Sequence, residues 1–302
     1  MNTRPVACLI YDFDKTLSPA NMQEYGFLPG LSIHPDDFWA DCRKFALKHR
    51  CDGVLAYMYQ MMEKARGVMP LTRGALNRLG NDVDFFPGVE SWFQRINAYG
   101  DSIGLNVQHY IVSSGLQEII EGSRIAHEFK AIFACSFCYG EDGQALWPAT
   151  AVNYTGKTQY LFRINKGILD VTNDFDLNNF TPEDRRPIPF RNMIYIGDGL
   201  TDVPSMKMTR AKGGCSIAVH APSDTRIVDD MLVQNRADFA IEADYTPGSE
   251  MEKTVQALMR QIRAVDDCAR QHAMHMDGSR RRIALRRQPP TLTEESWKTE
   301  KE

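Results

Sequence analysis

The chain has 302 residues, 43% of them hydrophobic and 25% charged, with 35 Lys and Arg against 39 Asp and Glu and a net charge of −4. That length gives room for one larger α/β domain with a smaller one inserted, and the charge balance excludes a global basic field for nucleic acid. No apolar run approaches the roughly 20 residues of a membrane span, so neither nucleic acid nor membrane is an expected partner.

Met1 to Pro5 leads directly into an apolar run, which leaves no room for a secretory signal. The seven cysteines are odd in number and scattered, and together with that short lead they predict reduced thiols and a cytoplasmic location. Val6–Tyr11 has the length and β-branched content of a buried strand. It ends in Asp12-Phe13-Asp14-Lys15-Thr16, two carboxylates one residue apart at the carboxyl end of a strand, where open α/β sheets bind ligands. Residues i and i+2 of an extended chain point the same way, so Asp12 and Asp14 can reach one substrate or ion.

Beyond Ser18 the pattern turns helical. Asp36 to Arg50 repeats apolar residues at three and four (Phe38, Trp39, Cys42, Phe45, Ala46), Val54 to Ala65 does the same, and Leu71 to Leu79 predicts a third helix. The Met and Tyr row of the second helix reads as core. Pro87-Gly88 opens a helix from Val89 to Ala98. Val107 to Val112 is the next strand and ends in Ser113-Ser114-Gly115, with a helix expected over Leu116 to His127. Phe129 to Tyr139 is a further strand, so strand, helix and strand form a βαβ unit and predict a parallel, doubly wound sheet.

A turn at Glu141-Asp142-Gly143-Gln144 predicts a hairpin from about Cys135 to Tyr154. Cys135 and Cys138, a C-x-x-C pair, lack a second ligand pair at suitable spacing and read as ordinary strand cysteines. Thr155 can cap a helix starting at Gly156 or Lys157. Asn173 to Arg191, with three prolines, reads as an irregular connection. Met193 to Ile196 is a strand running into Gly197-Asp198-Gly199-Leu200-Thr201-Asp202, followed by a helix through Met208. Cys215 to Val219 and Ala237 to Ile241 are the last strands, with a helix over Ser223 to Leu232 between them. A long amphipathic helix follows over Glu250 to Cys268. From Asp277 on, five arginines between Arg280 and Arg287 and then Pro289-Pro290 predict a disordered tail.

D-F-D-K-T and G-D-G-L-T-D, each behind a predicted strand and in this order, resemble the first and fourth motifs of the haloacid-dehalogenase-like (HAD) phosphohydrolase superfamily. The resemblance runs from about Val6 to Leu258 and is closest to the phosphoserine-phosphatase-like branch. It implies a Rossmann-like core over residues 1–18 and 85–275, a helical cap over 19–84 inserted between the first two motifs, and a tail over 276–302 outside it. It further implies a Mg²⁺-dependent phosphatase acting on a small phosphorylated metabolite through an aspartyl-phosphate. The alternatives are a phosphotransferase or mutase with the same intermediate, or a non-catalytic sensor of a phosphorylated metabolite. Fold alone does not separate these.

By the motif match Asp12 is the expected nucleophile, and Asp14 the acid that protonates the leaving alcohol and then the base that activates water. Thr16 is expected to order the loop. Asp12, Asp198 and Asp202 are the expected carboxylates around Mg²⁺, joined by Asp14 through its backbone carbonyl, with Asp202 binding through water or holding Lys157. Ser113, or Ser114 in its place, would donate to a phosphate oxygen, and Lys157 would neutralise phosphate charge. Lys166, in N-K-G-I-L, also resembles the third motif; Lys157 is favoured because it falls in the first turn of its helix. Phosphoserine-specific relatives carry a glutamate seven residues after the second aspartate, where this chain has Asn21 and then Glu24 three further on. Arg43, Arg50, Arg66 and Arg73 are the cap arginines available to a substrate carboxylate.

Overall fold

The computed structural model describes residues 4–222 and 224–286. Val6–Tyr11 forms strand β1, buried over nearly its whole length. The single turn α1 (Phe27–Gly30) follows, then α2 (Pro35–His49), α3 (Gly53–Ala65) and α4 (Arg73–Leu79). Each of the longer ones starts where its sequence supplies an acceptor for unpaired amides. The His34 ring accepts from Asp36 N, Asp52 Oδ1 from Val54 N at 2.8 Å, and Thr72 Oγ1 from Ala75 N.

The chain then alternates. Helix α5 (Val89–Ser102) leads to β2 (Asn106–Leu116), the short α6 (Gln117–Glu121) to β3 (Phe129–Tyr139) and its antiparallel neighbour β4 (Ala145–Thr150). Helix α7 (Gly156–Lys166) and the turn α8 (Asp174–Asn178) precede β5 (Met193–Gly197). After it come α9 (Val203–Ala211), β6 (Cys215–His220), α10 (Arg226–Val233), β7 (Phe239–Glu242) and α11 (Glu250–Arg286).

The seven strands form one sheet in the order β4-β3-β2-β1-β5-β6-β7, parallel throughout except at β4. The expected doubly wound α/β sheet is therefore what the chain builds. Successive connections run one way from β1 through β2 to β3 and the other way from β5 through β6 to β7. The reversal lies between β1 and β5, the crevice where such sheets bind ligands. Tyr11 in β1 stands opposite Ile111 in β2 and Ile196 in β5. Asp12, Ser113 and Asp198, each one or two residues further on, thus reach the same edge.

Three elements depart from expectation. The helix expected over Leu116 to His127 ends at Gly122, where α4 packs so close that a Cβ would meet the backbone carbonyl oxygen of Asn77 at 1.7 Å. Only α6 and a 3-10 turn at Ala126–Glu128 remain. The connection from 173 to 191 holds α8 and two 3-10 turns. It is pinned by Arg163, which donates to the carbonyls of Asp170, Val171 and Asn173 and pairs with Asp174 at 2.7 Å. Finally α11 continues to Arg286, so residues 276–286, expected in a disordered tail, are helical. Within that extension Arg280 pairs with Asp277, one turn back, at 3.6 Å. The rest of the expected tail, 287–302, lies outside the described residues.

Candidate active site

The site starts from the abrupt end of β1. Asp12 keeps strand pairing through its amide, which donates to Ile196 O at 2.9 Å, and its carboxylate is 6% exposed. Oδ1 accepts from Phe13 N at 2.7 Å and Oδ2 from Lys157 Nζ at 2.7 Å. Lys157 sits in the first turn of α7, fully buried, and spans Asp12 and Asp202, reaching Asp202 Oδ1 also at 2.7 Å. Burial pulls its ammonium pKa down, but the two carboxylates outweigh that and hold it above the ordinary lysine value. Lys166 points elsewhere, from the last turn of α7 to the carbonyls of Leu177 and Asn179. Of the two expected lysines, only Lys157 stands at this carboxylate cluster.

Asp202 is fully buried. Besides Lys157 it accepts from the Tyr195 hydroxyl at 2.8 Å. Gly197 makes this possible: a Cβ there would lie 2.5 Å from Asp202 Cγ, so only glycine lets the carboxylate fold back on the end of β5. Carboxylate oxygens of Asp12, Asp198 and Asp202 all lie within 4.8 Å of one another. Burial first, then Asp202 and Asp12, push the Asp198 carboxyl up to about 8, with Lys157 and Lys15 opposing. Three carboxylates this close, partly uncompensated by the one buried ammonium, form a hard oxygen donor set.

Asp14 is half-buried and its side chain turns the other way. Oδ1 accepts from Met22 N at 2.9 Å, which ties the loop after β1 to the start of the helical stretch between β1 and β2. Its carboxyl is held well above the usual range, by burial first and then by Asp12 and Asp198. The carboxylate of Asp14 therefore stands apart from the cluster made by the other three acids.

Ser113, 1% exposed at the end of β2, receives Gly115 N on its hydroxyl at 3.1 Å. The buried hydroxyl of Ser114 has no hydrogen-bond partner among the described residues, and neither does that of Thr16. Thr16 instead fixes the loop through its backbone, its carbonyl accepting from the Tyr245 hydroxyl at 2.8 Å.

These groups open on a cavity of about 390 Å³. Asp12, Asp14, Ser113, Ser114 and Asp198 line it on the sheet side, and Asn21, Gln23, Trp39 and Tyr57 on the other. A second chamber of about 410 Å³ shares Lys15, Asn21, Trp39 and Gly53 with it and adds Asp36, Cys42 and Arg43. Of the expected arginines only Arg43 lines either chamber. Arg66 pairs with Glu63, and Arg73 lies over the Tyr139 ring at 4.9 Å. Arg50 caps the end of α2 in a left-handed conformation. Glu24 stands behind the wall, its Oε1 accepting from Asn21 Nδ2 and from Trp39 Nε1 at 2.8 Å. Trp39 and Tyr57 escape a reading of the sequence because an amphipathic helix has the same period whether it faces a core or a cavity, and Gln23 because the 3-10 turn Met22–Glu24 is too short to carry a period.

No protein-family model matches the chain. A protein of Borreliella burgdorferi described only as uncharacterized is 27% identical over 280 residues, covering 83% of this chain and 96% of its own length. Among solved structures, a HAD family hydrolase from Salmonella enterica serovar Typhi is 15% identical with a TM-score of 0.52, covering 79% of this chain and 68% of that one. A probable phosphoserine phosphatase from Vibrio cholerae is 12% identical with a TM-score of 0.52, covering 88% and 67%. The likeness at these identities is one of fold: the chain has the fold of the HAD hydrolases, in the phosphoserine-phosphatase-like form that its motifs resemble.

Proposed function

We propose that the protein is a Mg²⁺-dependent phosphomonoesterase for a small phosphorylated metabolite, working through an aspartyl-phosphate on Asp12. The observation that supports it most is the division of labour between two neighbouring carboxylates. Asp12 is held by Lys157 and a backbone amide beside Asp198, whereas the Asp14 side chain turns from that cluster to the Met22 amide and sits where protonation is favoured. A carboxylate fixed at a strand end suits nucleophilic attack, and a neighbouring acid whose protonated form is favoured suits proton transfer.

In the first step an Asp12 carboxylate oxygen forms a bond to phosphorus as the bond to the ester oxygen breaks, and Asp14 gives its proton to that departing oxygen. In the second, Asp14, now a carboxylate, takes a proton from water as the water oxygen bonds to phosphorus and the bond to Asp12 breaks. Both partners are restored. Lys157 and the Ser113 hydroxyl face the charge that spreads over the phosphoryl oxygens. The oxygen donors of Asp12, Asp198 and Asp202 fit a small hard cation, and these residues would hold it. A bound Mg²⁺ would supply positive charge between the carboxylates and the phosphoryl oxygens. Asp202 would at the same time keep Lys157 in place through the ion pair they make.

A panel of phosphate esters assayed for phosphate release, with Mg²⁺ and in excess chelator, tests this reading. Turnover is expected only with metal, and Asp12→Asn is expected to remove it while leaving thermal unfolding nearly unchanged. Appreciable turnover by Asp12→Asn would rule out the covalent route.

A further inference from the structure

The wall facing the catalytic carboxylates is chemically distinctive. Gln23 is 1% exposed, lines the cavity, and its Oε1 has no hydrogen-bond partner among the described residues. Asn21 beside it spends Nδ2 on Glu24, which leaves its amide oxygen. Across from these, Ser114 offers a buried hydroxyl that is likewise unpartnered. Between them Trp39 and Tyr57 set their rings at 69°, with centroids 6.1 Å apart, an apolar corner whose polar atoms are already bound to Glu24 and to Ser114 O.

Charge is absent from that wall. Glu24 does not line the cavity, and two donors already occupy its Oε1. Lys15 lines both chambers beside Asn21, and Arg43 and Asp36 line the outer one only. An ammonium or carboxylate on the leaving group would lose its water here against amides and rings alone, which is costly for an ion. A hydroxyl both donates and accepts, so it can satisfy the Gln23 oxygen and the Ser114 hydroxyl together. The C–H face of a short polyol or sugar packs on the rings.

We propose that the leaving group is an uncharged polyhydroxy alcohol, so that the substrates are polyol or sugar phosphates, selected by Gln23 against amino-alcohol and amino-acid phosphates. This rests on the phosphatase reading above, whose site it occupies.

The test compares kcat/KM in Mg²⁺ for glycerol phosphate, hexose phosphates, phosphoethanolamine, phosphoserine and p-nitrophenyl phosphate, in the wild type, Gln23→Leu and Gln23→Glu. The polyhydroxy esters are expected to lead the alkyl series. Gln23→Leu should lower the ratio of polyhydroxy to p-nitrophenyl turnover by about three- to tenfold, the scale of one hydrogen bond. Gln23→Glu, nearly the same shape, should lower that ratio and raise the ratio for phosphoethanolamine; it also serves if the leucine variant fails to fold. A higher kcat/KM for phosphoserine or phosphoethanolamine in the wild type, or ratios unmoved in the folded variants, would overturn the assignment and leave the phosphatase reading standing. Absence of turnover with every ester, the aryl one included, would overturn both.

Discussion

Asp12 and Asp14 are separated by one residue and differ in almost everything that sets their chemistry. Asp12 accepts from an ammonium and a backbone amide, whereas Asp14 accepts one amide, from Met22, and its carboxyl is pushed up by burial and by Asp12. An acid kept protonated is useful only when the leaving oxygen needs the proton. Asp14→Asn is therefore expected to slow phosphoenzyme formation with alkyl phosphates by about 10² to 10⁴-fold, the usual worth of general acid–base help, and far less with an activated aryl phosphate. Water attack is slowed for both, so the aspartyl-phosphate should accumulate with the aryl ester. Single-turnover measurements with the two ester types check this. Equal slowing without a trapped intermediate would reduce Asp14 to a loop-shaping residue.

At the scale of elements, the helices between β1 and β2 are tied to the rest of the chain through side chains. Asp52 caps α3 with Oδ1, and with Oδ2 it accepts from Asn153 Nδ2 at 2.6 Å. The carbonyl of Asn153 in turn accepts the amide of Lys157 at 2.9 Å. Losing the cap costs about 1 kcal/mol and losing the Asn153 bond about 0.5–1.5 kcal/mol, so Asp52→Ala should destabilise by about 2 kcal/mol in denaturant unfolding. A double-mutant cycle with Asn153→Ala isolates the shared part, and an interaction energy near zero would mean the bond carries nothing. The parts of this arrangement differed in how far they could be read from the chain. Strands β1 and β5 and their motifs are local patterns, an apolar run closed by acids, and were legible within a residue or two. Lys157 was legible because a helix start next to the sheet edge brings it to the site, while Lys166, two turns on, is carried away. Of the Met and Tyr row of α3 expected in the core, Met58 is buried but Tyr59 is exposed, and Tyr57, one residue before Met58, lines the cavity, since helical period records a buried face and not what lies across from it. Tyr195, which donates to Asp202, gave no signal at all, because a tyrosine inside a strand reads as packing.

For the molecule as a whole, the carboxylate cluster is a debt carried by the fold, and its size depends on pH and on cation. Without metal, Asp198 titrates at about 8 in the folded chain against an ordinary 3.8, raised by burial and by Asp202 and Asp12. A carboxyl whose folded pKa is raised favours the folded state when protonated. Its stabilising contribution is complete below the unfolded value and is lost as pH climbs through the folded one. In excess chelator the midpoint of thermal unfolding should therefore fall as pH rises from about 4 towards 8, and Asp14, raised in the same direction, adds to that slope. Asp198→Asn removes one titrating group and should flatten the curve, leaving the variant more stable than wild type near pH 8. Added Mg²⁺ should act unequally on the two proteins. For the wild type it favours the ionised carboxylates and stabilises the folded state by mass action, about 2.7 kcal/mol at a hundred times its dissociation constant. The variant, short of one ligand, should respond weakly. Thermal unfolding across pH 4 to 8, with chelator and with Mg²⁺, measures all four cases. A wild-type curve that is flat in chelator, or a Mg²⁺ shift of equal size in Asp198→Asn, would show that Asp198 belongs neither to the strained cluster nor to the cation site.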